Sequence, residues 1–564
     1  MGFVQSQPNS FVGAIKFHSI AKNKGDGNRA MINRENTRRG FLGRAGVAAA
    51  GLIGSGAISS SAETVPPKRN SQLFDVREFG AKGDGKAIDT PAINTAIEAA
   101  AEAGGGTVYF AAGNYLCFSI HLKSKVELYL DAGSVIVAAD PPSQKGAPGF
   151  DLPEPNKPWE EYQDFGHNHW HNSLIWGEKL EGVAIQGSGL IWGKGLSRGE
   201  GVGPIAELPG VANKAIALKN CRNVILRDFS ILHGGHFGIL ATGVDNVTID
   251  NLKIDTNRDG MDIDCCRNVR ISNCTVNSPW DDAICLKSSY ALGEARATEM
   301  VTISDCLVTG SYEEGTMLDA TFKRFPASTD VDRNGRIKFG TESNGGFRNI
   351  TVSNCIFDGC FGLTILSVDG ATIEDVSISN ITMRDVVGSP IFLRLGSRMR
   401  GPAGVAVGSI KRVNISNIVS SNGTSKFCSM ITGVPGHYIE DVKISNILIE
   451  HPGGGTKQEA ALQLQEKEKE YPEPNMFGTT PAHGFLIRHA KGIEISDFKM
   501  RLKEQDARPS FILQDVEQAD FSNIKSPKVQ NVPEFVLNDV REFNILRSKP
   551  VPDTQIAETK HQEI

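Results

Sequence analysis

From about Leu180 onward the chain alternates apolar and polar residues in short runs, and one phrase keeps returning. Val247-Thr248-Ile249-Asp250-Asn251 is followed by Val269-Arg270-Ile271-Ser272-Asn273, Val301-Thr302-Ile303-Ser304-Asp305 and Ile350-Thr351-Val352-Ser353-Asn354. Related phrases begin at Val376, Val413 and Val442, and the pattern fades at Ile493-Glu494-Ile495-Ser496-Asp497. A period of two sends successive side chains to opposite faces, so each run predicts a half-buried strand. Val224, Val247 and Val269 lie 23 and 22 residues apart, a spacing that belongs to stacked repeats. One such coil cannot bury its own apolar face. Neighbouring coils must stack, each strand hydrogen-bonded to its equivalent about 4.8 Å away, which predicts an all-β solenoid of parallel strands.

The Asn or Asp that closes each phrase suits a tight bend, because both tolerate left-handed dihedrals and can ladder from coil to coil. These residues are read as architecture. Longer gaps, from Val301 to Ile350 and from Val442 to Ile493, predict loops thrown out from the stack, where a binding face is expected. The open end of the stack is an unpaired edge and needs a cover. Thr90-Pro91 through Glu102-Ala103-Gly104 predicts a short capping helix, with proline at its start and glycine at its stop, inside an N-terminal cap over residues 71–110. The expected organisation is a leader over 1–62, a single β-helix domain over 63–547, and a polar tail over 548–564 that frays.

Composition removes some classes. The 65 acidic and 59 basic residues are mixed along 564 positions, a formal charge of −6, so no basic face recruits nucleic acid. Thr37-Arg38-Arg39-Gly40-Phe41-Leu42-Gly43, an apolar run from Ala45 to Ile58 and then Ser59-Ser60-Ser61-Ala62 resemble a twin-arginine export signal. The run is too short and glycine-rich to span about 30 Å of hydrocarbon. The expectation is a periplasmic or secreted protein with no stable membrane span, and a start at Met31 would account for the residues before it. Of the ten cysteines, Cys265, Cys266, Cys274, Cys285, Cys306, Cys355 and Cys360 sit inside the apolar phrases, so buried free thiols are expected rather than disulfides. No Cys-x-x-Cys pair suggests zinc.

Two acidic bends fall in register. Asn257-Arg258-Asp259-Gly260 and Trp280-Asp281-Asp282-Ala283 each precede an apolar alternation, Met261 and Ile263 in one coil, Ile284 and Leu286 in the next. One coil apart means one strand spacing apart. Three carboxyl groups on so small a patch cannot all ionise cheaply, so at least one pKa should rise. An acid beside an ionised carboxylate is what glycosidic cleavage uses, one giving a proton to the leaving oxygen and the other activating water. Strict alternation would part Asp281 from Asp282, so both serve only if the pair lies in the bend before the strand. The alternative is that these residues are ordinary turn formers.

Asn-x-Asp-Gly, the Asp-Asp pair one coil later and Gly340-Thr341-Glu342-Ser343-Asn344-Gly345-Gly346 together resemble glycoside hydrolase family 28, the polygalacturonase and rhamnogalacturonan hydrolase family. The resemblance runs from Phe74-Asp75-Val76-Arg77-Glu78-Phe79-Gly80-Ala81-Lys82-Gly83-Asp84-Gly85 to Tyr471-Pro472-Glu473-Pro474-Asn475-Met476-Phe477-Gly478. It implies a right-handed parallel β-helix of the pectin-lyase-like fold and hydrolysis with inversion. It also implies Asp281 as proton donor, Asp259 and Asp282 holding the water, and Asn257 and Glu342 on the substrate side. Inversion calls for about 6.5–9.5 Å between acid and base.

The family pattern is not met everywhere. Its Gly-His-Gly element is matched by Asn334-Gly335-Arg336-Ile337-Lys338-Phe339-Gly340, without histidine, and His236 is the candidate replacement, with packing at a bend as the alternative. The family's uronate-binding Arg-Ile-Lys should fall one coil after the glycine turn, where this chain has Leu363-Thr364-Ile365-Leu366. Arg336-Ile337-Lys338 lies one coil early, yet with Lys323 and Arg324 it places positive charge for an acidic sugar, and Arg394 is a further candidate. A mixed or neutral sugar at the cleaved linkage therefore becomes credible. His167, His169 and His171 alternate and would align on a strand to bind zinc. Sugar stacking by Trp159, Trp170 and Trp176 is preferred, and no metal or cofactor is expected. The functional expectation is an exported glycosidase acting on pectin-type acidic polysaccharide, either galacturonan or a rhamnogalacturonan fragment, with the oligomeric state open and a monomer favoured. Its rivals are a calcium-using polysaccharide lyase on the same fold and a non-catalytic carbohydrate-binding solenoid.

Overall fold

The computed structural model describes residues 72–564 apart from 143–145, 200–207, 327–328 and 330, so the export-type leader and Met31 lie outside the described residues. The repeated phrases form strands that stack in register. Val247 pairs with Val269, Val269 with Val301, Val301 with Ile350 and Ile350 with Val376, in parallel throughout. Thirty-four strands join one continuous hydrogen-bonded sheet that winds as a parallel β-helix. Its interior is filled by the apolar half of each alternation, such as Ile249, Ile271, Ile303, Val352 and Ile378, all buried.

The closing Asn and Asp residues do what the pattern predicts. Asn251, Asn380, Asn417 and Asn446 adopt φ between 53° and 58°. Asn446 donates to Asn417 at 2.8 Å, Asn417 to Asn380 at 3.0 Å and Asn380 to Asn354 at 3.0 Å, a ladder running along the stack. All ten cysteines are buried free thiols.

The capping helix Thr90–Glu102 lays Ile93, Ala96, Ile97 and Ala100 onto the first coils. Asp89 stands at its cap position, but its carboxylate accepts from Lys82 and Gly83 N–H instead. The frayed tail expected over 548–564 is a correction. Thr554–Glu563 forms a strand antiparallel to Phe535–Leu546, with Phe543 opposite Ile556 and Val540 opposite Thr559. The last coil offers an unpaired edge just as the first does, and the polar segment satisfies it.

The long gaps are loops that fold back on the stack. In the loop leading to Phe485, Phe477 packs on Leu366, Phe392 and Met430, closing the outer face of one sheet. Arg394 is used up in holding this loop, donating to Gly433 O at 3.0 Å and Glu466 O at 2.8 Å. Among the described residues no helix is long and apolar enough to cross a membrane.

Candidate active site

Asp259 opens the strand Asp259–Asp264, and Asp281 and Asp282 lie in the irregular bend before Ile284–Ser288. Met261 pairs with Ile284, and Gly260 N–H donates to Asp282 O at 2.9 Å. The bend frees the doublet from strict alternation, so the three carboxylates converge, each offering an oxygen within 4.8 Å of the others. Ser278 fixes it, its hydroxyl lying 2.5 Å from Arg258 O and 2.9 Å from Asp281 O, with its one hydrogen shared between the two. Gly260 has to be glycine, because a Cβ there would meet Ala283 O and Val276 Cγ1 at 2.4 Å each. This nearest-oxygen spacing is not the separation between whole carboxyl groups that inversion sets at about 6.5–9.5 Å. It still admits one water held by two carboxylates, since two hydrogen bonds of about 2.8 Å span about 4.8 Å at an open angle.

The three acids differ in their surroundings. Burial pushes Asp259 well above the usual carboxylate range, and the charges of Asp262 and Asp281 add to it. Its Oδ1 is buried with no hydrogen-bond partner. Desolvation in the bend and the neighbouring Asp282 also raise Asp281, against the pull of Arg258, which donates to Asp281 Oδ2 at 2.6 Å. Asp281 keeps 21% of its side chain open, whereas Asp282 keeps 2%. Burial disfavours the charge of Asp282 too, but Lys338 and Arg336 outweigh it and hold its carboxyl below the usual range. The cluster therefore holds one acid fixed as an anion beside two acids primed to carry a proton.

Arg336 and Lys338 lie one coil beyond Asp282, as Ile284 pairs with Ile337 and Cys285 with Lys338. Neither reaches solvent: Arg336 is fully buried and Lys338 nearly so. Arg336 Nε donates to Asp282 Oδ1 at 2.8 Å, and Lys338 Nζ lies 2.9 Å from Asp282 Oδ2. The far side of both cations is taken by Glu473, which accepts from Arg336 Nη1 at 2.8 Å and from Lys338 at 3.4 Å. The coil that the sequence comparison treats as displaced thus supplies the counter-ions of Asp282.

Behind the acids lies a second charged layer. The strand Ile337–Ser343 carries two extra residues against its neighbour, since Leu286 pairs with Phe339 but Ser288 with Ser343. Such a bulge re-aims side chains, and here Glu342 is turned into the protein with no exposed surface. It accepts from Lys287 Nζ at 2.9 Å and from Asp164 N–H at 3.0 Å. Burial is outweighed by Lys287 and His167, which hold Glu342 well below its ordinary range. His167 bonds Asp262 at 2.9 Å through Nε2, and Lys287 lies 3.6 Å from the same carboxylate.

Of the expected substrate-side residues, Glu342 is a correction: it is sealed inside an ion network and positions Lys287 and the Asp164 loop. Arg394 is another, buried with a guanidinium spent on loop carbonyls and held down to about 10 by burial and Arg488. His236 sits one coil before Asp259, packed against Phe165 and Phe237, with Nδ1 2.8 Å from Arg198 O. Burial and Arg258 keep its imidazole neutral, well below its usual pKa. Asn257 is nearly buried and accepts from Trp280 N–H at 2.9 Å through its carbonyl. Lys323 and Arg324 answer Glu314, Asp358 and Asp385 on an exposed hairpin. The three histidines do not converge, since His167 meets Asp262, His169 meets Glu160 and His171 meets Glu178. Sequence reasoning missed Arg258, Asp262, Lys287 and Glu473. The first three follow from a rule the alternation offers, that polar residues facing each other in register must be answered, but Glu473 comes from a loop no period places.

Comparison with known proteins agrees with the fold. The family model described as rhamnogalacturonase A/epimerase, pectate lyase-like, matches residues 73–152, and that of the right-handed beta helix region matches 207–330. A probable polygalacturonase of Vitis vinifera is 22% identical over 396 residues, 66% of this chain and 73% of that one. The exopolygalacturonase of Yersinia enterocolitica superposes with a TM-score of 0.59 at 18% identity over 81% of this chain and 79% of that chain. The hyperthermoactive exopolygalacturonase of Thermotoga maritima gives 0.56 at 19% identity over 78% and 93%. The fold is thus a right-handed parallel β-helix, and the similarity to polygalacturonases supports a glycosidase. Within that class the chain is similar to polygalacturonases, in keeping with the resemblance of its motifs to glycoside hydrolase family 28.

Proposed function

We propose that the protein is an exported hydrolase of pectin-type acidic polysaccharide that uses Asp281 as general acid, with Asp259 and Asp282 holding the water. The observation that carries this is the meeting of three carboxylates from two successive coils within 4.8 Å, one of them with an unpartnered buried oxygen. Asp281 is the acid with open surface, so its proton reaches the glycosidic oxygen as the bond from that oxygen to the anomeric carbon breaks. Water bonds to the anomeric carbon and passes a proton to Asp259, which must enter the step ionised and whose raised affinity for a proton makes it the stronger base; its Oδ1 has no hydrogen-bond partner. Asp282, tied on both oxygens, orients the water and supplies negative charge to the oxocarbenium-like transition state. Inversion rests on the family resemblance, and the twin-arginine pattern supports export.

The test is product analysis on defined pectic oligosaccharides. Hydrolysis adds one water to the summed product mass and leaves no ultraviolet-absorbing unsaturated sugar. Unsaturated products made only with calcium would establish the lyase instead. Binding without new reducing ends, unchanged in Asp281→Asn, would establish a carbohydrate-binding solenoid. Anomeric proton signals recorded in the first turnovers read the stereochemistry.

A further inference from the structure

The cations beside the scissile position are already matched by the protein's own carboxylates. Arg336 and Lys338 contact Asp282 on one side and Glu473 on the other, two positive charges against two negative, with almost no surface left. Arg258 answers Asp281, Arg398 answers Asp369 and Arg400 answers Asp164. A substrate carboxylate entering here would have to displace Glu473 or remain desolvated without a partner, and an unpaired buried charge is costly. What the same loop offers instead is a ring. Tyr471, two residues before Glu473, is 49% exposed and lies with its centroid 5.8 Å from Lys338 Nζ and from the Arg398 guanidinium. Lys338 Nζ is itself 2.9 Å from Asp282, so one cation lies between the ring and the acids. An aromatic face with a hydroxyl rim suits an uncharged pyranose.

We infer that the sugar bound on the Tyr471 side of the cleaved linkage is uncharged, a neutral pyranose or an esterified uronate, because Glu473 occupies the cations that a free uronate would need. This rests on the hydrolase reading above and makes Glu473 a specificity-determining residue of that site. In the intact chain, Glu473→Gln would release Arg336 and Lys338 for an incoming carboxylate, while Glu473→Asp would keep them engaged.

The experiment has a rate arm and a binding arm. Matched oligosaccharides carry free galacturonate, methyl-esterified galacturonate or a neutral sugar next to the scissile bond. For the wild type, esterified or neutral substrates are expected to be cleaved at least tenfold faster than free acids. E473Q is expected to shrink that ratio at least threefold through a lower KM for free acids, and E473D to restore it. Calorimetry then compares trigalacturonate with its methyl ester on wild type and E473Q, with tighter free-acid binding expected in the variant. Equal or faster cleavage of free acids by the wild type, or free-acid binding unchanged in E473Q, overturns the inference. Cleavage of none of these substrates defeats the hydrolase reading instead, and the binding arm still decides this one.

Discussion

Two kinds of polar bend are stacked from coil to coil in this protein, and they obey opposite rules. At the asparagine bend, Asn446, Asn417 and Asn380 hand a hydrogen bond from layer to layer at 2.8–3.0 Å on the exposed surface. At the acidic bend, Asp259 and the Asp281 and Asp282 pair repeat the same layering, but carboxylates stacked on carboxylates have nothing to donate. One is rescued by Arg336 and Lys338, one leans on Arg258, and Asp259 keeps a buried oxygen with no partner. A stack whose members complement each other is structure. A stack whose members repel each other is costly, and here burial first, with that repulsion added, raises the pKa of two acids.

The sharpest way to break the comparison is at the proton donor. Asp281→Asn should lower kcat by about 10³-fold, with an unchanged circular dichroism spectrum. The pH–rate profile belongs to the same test. Because Asp281 is raised, its proton is kept above the ordinary carboxylate range and lost as pH climbs through the raised value, so wild-type kcat/KM should fall on that alkaline side. Next in size is Asp282→Asn, which leaves buried Arg336 and Lys338 with Glu473 as their remaining carboxylate. Loss of one partner from a buried ion cluster should cost about 3 kcal/mol in chemical denaturation. Asp282 is depressed, so its contribution is present above the unfolded pKa and lost as acid titrates it, and the variant should match wild type only at low pH. Smallest is Asn380→Ala at the other bend. It removes two ladder bonds and puts alanine at φ 58°, which should cost about 1–2 kcal/mol, with kcat/KM unchanged.

Much of this was legible in the sequence because a solenoid writes its register into its period. The coil repeat, the bend asparagines, the free cysteines and the meeting of Asp259 with the Asp281 and Asp282 pair all follow from equivalent residues stacking one layer apart. Legibility ended where side chains come from outside the period. Glu473 sits on a loop after Lys457–Ala460, and His167, whose alternation with His169 and His171 reads as a strand, lies on an irregular segment, so the pattern tied neither to the site. Arg336 and Lys338 were read for a sugar because their charge suits one. Their burial against Asp282 depends on a bulged strand that composition does not announce. The tail was read as frayed because polar residues dominate it, whereas an edge strand needs only backbone partners.

The central claim is that the acidic stack is kept for chemistry at a cost in stability, and Asp259→Asn tests it most directly. Thermal unfolding and reducing-end release on the same preparation supply both readings. Burial and like charge raise Asp259, so the fold binds its proton more tightly than the unfolded chain, and its cost grows as pH rises above the ordinary carboxylate value. The account predicts a melting temperature at neutral pH equal to or above wild type, with activity down by about 100-fold or more. A variant that melts lower, or that cleaves as fast as wild type, would contradict it.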